Sequence, residues 1–124
     1  MIAATRDALL ALAEKVEAAT GPSFLIEQEI ADAVGHNPRA RLPKYTASLD
    51  AAMTLVPERH AVDVTMWGPH WGGQHRARLL PLIQEGDRLF HRGSDPHYCV
   101  NAATPALALT AAALRARAAM MGEG

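Results

Sequence analysis

The stretch TPALALTAAALRARAAMM, Thr104 to Met121, constrains this chain more than any other part of it. Thr104 can accept a hydrogen bond from a free amide of the first turn, and Pro105 falls at the first helical position, where its missing N–H costs nothing. The spacing predicts a helix. Leu107, Ala111, Leu114, Ala118 and Met121 recur along one side, while Leu109, Ala113 and Met120 form a second apolar strip. Most of the circumference is apolar or very small, so the segment reads as a helix laid tightly against a sheet or a second helix. Arg115 and Arg117 sit near its C-terminal end, where positive charge is favoured.

Upstream, Thr5 to Ala19 places Leu9, Leu12, Ala13 and Val16 at helical intervals and ends before Gly21-Pro22. Ser23 offers a cap for a second helix with Ile26, Ile30, Ala33 and Val34 on one face and Gly35 as its stop. His36 to Lys44 (HNPRARLPK) lacks apolar periodicity and reads as a surface loop. Thr46 or Ser48 caps a third, shorter helix, with Leu49, Ala52, Met53 and Val56 along one side and Pro57 as its end.

The period then changes from helical to alternating. In His60 to Trp67 (HAVDVTMW), Val62, Val64 and Met66 alternate with Ala61, Asp63, Thr65 and Trp67, as a half-buried strand requires. A second strand is expected around His75 to Leu80, with Arg76 and Arg78 on its polar face. A third extended piece, Arg88 to Arg92, follows the turn signal Glu85-Gly86-Asp87, and His97 to Asn101 forms the last strand. The fold class expected is therefore α+β. N-terminal helices precede a three- to four-stranded antiparallel sheet, and the long C-terminal helix packs on that sheet in an α/β/α sandwich. Residues 1–44 form an N-terminal helical segment and residues 45–121 the α-β-β-β-α unit, the two together making one compact body of ordinary domain size.

Several functional classes lose support at once. A formal net charge of −1 gives no global electrostatic footprint for nucleic acid or anionic membrane. A single cysteine, Cys99, excludes an intrachain disulfide and fits a reducing compartment, so a cytoplasmic location in a bacterial host cell is expected. The N-terminal stretch has no charged region followed by an uninterrupted apolar core, and no apolar run reaches about 18 residues, so neither secretion nor membrane insertion is expected.

The candidate sites are few. His70, His75, His91, His97 and Cys99 all fall in the strand half, but no CxxC or HExxH spacing holds them, so no metal site and no cofactor are expected. Cys99 has no nucleophile signature around it and reads as a buried inert thiol. Pairs such as Glu27 and Glu29, or Asp50 and Glu58, lie on helices or at helix ends, where solvation and capping explain them; no catalytic residue is assigned. The loop Gly68 to Gln74 (GPHWGGQ) would expose Trp71 between glycines, making Trp71, with Trp67 and His70, the candidate protein-binding residues.

A nucleic-acid role is the alternative. It would use Arg39, Arg41 and Lys44 of the loop, with Arg76 and Arg78. The run EIADAVG has the small-residue spacing of a helix-turn-helix opening, yet Pro38 and Pro43 interrupt the place of a recognition helix. Residues 46 to 119 follow the element order of a double-stranded RNA-binding domain, but Thr104, Pro105 and Ala106 carry none of the charge that fold places at its last helix.

Tyr45 to Pro57 (YTASLDAAMTLVP) and Ala103 to Ala119 (ATPALALTAAALRARAA) together resemble the phage ABA sandwich domain family, small proteins of bacteriophages and prophages. The likeness spans residues 45 to 119, with a weaker echo in Ile30 to Gly35. It departs at Thr110, where the family commonly has a cysteine, and at His60 and Ala61, where an aromatic pair is frequent. The resemblance implies a sheet sandwiched between helices and a phage accessory origin; it carries no established activity and no catalytic residues. The expectation is a small non-enzymatic protein that works by binding a host or phage protein, such as an inhibitor of a defence or regulatory protein. A histidine-rich metal-binding protein is a further alternative. Homo-oligomers are also expected, because the last helix has apolar residues on more than one side.

Overall fold

The computed structural model describes residues 5–37, 39–65, 75–90 and 98–121. Among the described residues four helices and five strands follow in the order α1 (Arg6–Ala18), α2 (Phe24–Val34), α3 (Leu49–Met53), β1 (His60–Thr65), β2 (His75–Pro81), β3 (Ile83–Glu85), β4 (Arg88–Phe90), β5 (Tyr98–Ala102) and α4 (Pro105–Met120). The class is α+β, with a three-stranded antiparallel sheet ordered β1-β2-β5 and α4 packed on it.

Each helix starts where a hydroxyl can take a first-turn amide. Thr5, Ser23, Ser48 and Thr104 accept from the backbone N–H of Ala8, Ile26, Ala51 and Leu107 respectively, at 3.0 to 3.3 Å. Helix α2 stops at Gly35, which turns into the left-handed region at φ 76°, a conformation that costs glycine little.

In the sheet, β2 pairs with β1 and β5 so that Val62 lies opposite Leu79 and Val64 opposite Ala77, with Val100 on the other side of Ala77. Ala77, Leu79, Val100 and Ala102 are buried against the helices. The intervening residues form the other face, with Asp63, Arg78 and Cys99 in one cross-strand row and Thr65, Arg76 and Asn101 in the next. Strand alternation thus places Cys99 on the exposed face, correcting the expectation of a buried thiol.

Helix α4 is the middle layer. Among the described elements it touches β1, β2, β5, α1 and α3, while α2 rests on α1 and α3 on α4. From Ala106 to Leu114 every residue is buried, and Ala116 and Ala118 follow. The helices were expected on both faces of the sheet; the described ones lie on one. The reason is the far face itself, where the rows of Asp63 with Arg78 and of Thr65, Arg76 and Asn101 are polar and leave little apolar surface to cover. It is the alanine-rich helix, not the sheet, that lies between two layers, so the apolar circumference read as a reason for oligomers is covered within the chain.

Three local expectations are also corrected. Helix α3 is only one and a half turns long and leaves Leu49 and Met53 exposed, while Ala52 and Leu55 enter the core. The third extended piece is a separate two-stranded hairpin, β3-β4, turned at Gly86 with φ 59° and beginning before the Glu85-Gly86-Asp87 signal. Met120 and Met121, read as part of the apolar strips, are exposed at the end of α4. One core cluster takes in Leu9 and Ile30 together with Leu55, Leu79 and Leu107.

Candidate binding groove

Two polar anchors hold the helices to the segment that enters α3. The first is buried: Glu27, on the inner side of α2, accepts from the hydroxyl of Thr46 at 2.7 Å and from its backbone N–H at 3.2 Å. Ser23 N–H donates in turn to the Thr46 hydroxyl at 2.9 Å. Glu27 is therefore not a solvated helix carboxylate, as expected, but the tie between α2 and the segment entering α3. The second anchor is Thr110, whose hydroxyl donates to the Tyr45 carbonyl at 2.7 Å from the middle of α4.

The two arginines of α4 then reach in different directions. Arg115 meets Glu17 of α1 at 2.6 Å, an ion pair about one-third exposed on each side. Arg117 turns toward α3, and its Nε donates to the Leu55 carbonyl at 2.7 Å. Tyr45 lies within its field. Burial raises the Tyr45 hydroxyl pKa above its ordinary value of 10.0, and the Arg117 charge works in the opposite direction.

Past Leu55 the chain turns sharply. Arg59 takes φ 61°, a left-handed conformation uncommon for a long side chain, and its carbonyl accepts from Leu82 N–H at 2.7 Å. This corner holds Pro57 and Glu58 beside the end of α4. Together with Leu9 of α1, and Ala33 and Val34 of α2, they enclose an open groove of about 510 Å³, completed by Arg117, Met120 and Met121. Such a volume is within the range of ligand and anchor sites. Its lining is mostly apolar. Leu9 is 3% exposed and Met120 63%, so the groove has a fixed floor and a rim of two flexible thioether side chains.

The groove brings together residues that the sequence reading left apart. Arg117 and Met120 were noted only as parts of a helix, and Glu58 only as a helix-end carboxylate. Convergence here depends on how α1, α2 and α4 cross, and no motif spacing encodes that.

The candidates named from the sequence fall elsewhere. Trp67, His70 and Trp71 lie outside the described residues, as do His91 and His97. Arg39, Arg41 and Lys44 are exposed on the connection from α2 to α3, on the helical side. The Asn37 side chain accepts from the Arg39 N–H at 3.0 Å, and the His36 ring meets the Arg41 carbonyl at 3.0 Å, so this loop has local order. Arg76 and Arg78 point from the opposite face of the sheet, where Arg78 pairs with Asp63 at 2.8 Å. The structure therefore separates the two basic groups into a loop cluster and a sheet-face pair. Among the described residues no three His, Cys, Asp or Glu side chains converge, and no helix is long and apolar enough to cross a membrane.

No family model, curated protein or solved structure matches this chain.

Proposed function

We propose that this protein acts by binding another protein, and that the groove at the end of α4 is where it does so. The observation that carries the reading is the placement of Met120 and Met121. Both are exposed side chains at the mouth of a concave, largely apolar surface whose floor is packed into the core. Flexible methionines around a fixed floor suit an apolar anchor from a partner, since they can repack around it at little strain. The phage origin implied by the family resemblance makes a host protein the class of partner proposed, and inhibition the simplest outcome of occupying its surface.

Affinity capture from a host-cell lysate tests this with two variants. Met121→Glu changes an exposed groove residue and should leave the fold intact while abolishing retention of the partner. Trp71→Ala tests the glycine-rich stretch read from the sequence in the same assay. Retention of the same proteins by wild type and Met121→Glu would remove the groove from the mechanism.

A further inference from the structure

We propose that the groove recognises an acidic side chain set between apolar ones on the partner's surface, with Arg117 taking the carboxylate; this rests on the groove reading above. The argument begins with the arginine's own bonding. Its Nε is committed to the Leu55 carbonyl, which fixes the plane of the guanidinium. Among the described residues Arg117 makes no ion pair, in contrast to Arg115 two positions earlier, which is held by Glu17. A guanidinium carries five N–H donors, and one carbonyl uses only one of them. The carbonyls at the end of α4 favour a cation there, but they supply partial charge and not a full counter-charge.

The surroundings then specify the ligand. Arg117 is half-buried and lines a groove whose other residues are mostly apolar, among them Leu9 and Val34 from α1 and α2 and Pro57 and Met121. A carboxylate entering such a site displaces water from the apolar lining best when apolar groups flank it on both sides, which an internal Asp or Glu between apolar residues provides and a chain terminus does not. Glu58, the other charged member, is exposed and makes no salt bridge to Arg117. Its charge is screened by solvent at the lip, whereas the guanidinium acts in a drier place, where a charge-assisted pair is stronger. With the Glu58 charge screened at the lip, one carboxylate between two apolar side chains is the complement of the guanidinium and its apolar surroundings.

The test uses the folded full chain with carbon-13-labelled methionine methyls, whose Met120 and Met121 signals report directly on the groove. The probes are three short peptides: acetyl-Leu-Asp-Leu-amide, its Asn counterpart, and acetyl-Leu-Leu with a free terminal carboxylate. The Asp peptide should shift both methyl signals and bind about tenfold or more tightly than the Asn peptide. That preference should vanish in Arg117→Met, which keeps an apolar stem, and survive in part in Arg117→Lys. Equal binding of the Asp and Asn peptides to the wild-type chain would overturn the acidic-side-chain assignment while leaving the groove as a binding site. Tighter binding of the free-terminus peptide would overturn it in favour of chain-end capture. Failure of every probe to move either signal at millimolar concentration would remove the groove reading together with this one. Because the wild-type comparison uses no substitution, a fold defect in Arg117→Met cannot shield the proposal.

Discussion

The Thr110 hydroxyl donates to the Tyr45 carbonyl at 2.7 Å, joining the centre of α4 to a residue 65 positions earlier, and both residues are buried. A threonine inside a helix commonly bonds its own preceding turn, which weakens the helix slightly. Here it instead satisfies the backbone of the segment that enters α3, and that segment has no ladder of its own to use.

Thr110→Val keeps the shape and removes the donor, leaving the Tyr45 carbonyl without this partner. Stability should fall by about 1–3 kcal/mol. Urea unfolding should show a lower midpoint with an unchanged slope, because the native contacts stay compact. Thr110→Cys keeps a weaker S–H donor there and should give a smaller loss than valine does.

Glu27 and Thr46 make the second long-range polar tie. Glu27→Leu leaves the Thr46 hydroxyl and N–H without their common acceptor in a buried place. A loss of roughly 2–3 kcal/mol is expected, since hydrogen bonds to a charged group are stronger than neutral ones. Glu27→Gln retains an acceptor oxygen and should lose less. Hydrogen exchange of the Thr46 amide should quicken in the leucine variant more than in the glutamine variant.

How legible this molecule is in its sequence differs by layer. Helix α4 could be read nearly to its ends, because Thr104, Pro105 and the alanine run act locally through capping and propensity. Strands β1, β2 and β5 could be read from alternation, as far as the described residues extend. What could not be read was which side of each element stays wet. Cys99 and Val100 are adjacent residues of similar hydrophobicity, and only the pairing register decides that Cys99 faces out. Glu27 looked solvated because helix position alone does not show that Thr46, 19 residues later, returns to it. The groove was hidden for the same reason: it is made by residues from three helices and a turn, none of which is unusual in its own neighbourhood.

Tyr45 gives a pH dependence with a definite sign. Burial raises its pKa in the folded chain, outweighing the lowering by Arg117. The folded state therefore holds the phenolic proton more tightly than the unfolded state does. The contribution is fully present below the unfolded pKa of about 10 and is lost as pH rises through the folded value. Tyr45→Phe removes this one titration. Urea midpoints of wild type and Tyr45→Phe measured from pH 8 to 11 should run parallel at first, with wild type falling faster above about pH 10. Parallel curves throughout would show that the phenol is equally accessible in both states.

The middle-layer position of α4 makes the sharpest prediction on packing. Ala112 is 0% exposed, whereas Ala119, seven residues later, lies on the exposed end of the same helix. Leucine is nearly as good a helix former as alanine, so Ala→Leu at either position changes helix propensity little and reads packing almost alone. At Ala112 the added side chain enters a fully buried position of a helix that packs on both the sheet and other helices. Ala112→Leu should cost about 1–3 kcal/mol through forced rotamers and small shifts of the neighbouring elements. At Ala119 it enters solvent beside the groove, and Ala119→Leu should stay within about 0.5 kcal/mol of wild type. A helix covered on one side only could rotate to accommodate leucine at Ala112, and the two variants would then unfold at similar urea concentrations. A clear gap between them is what a helix held from both sides requires.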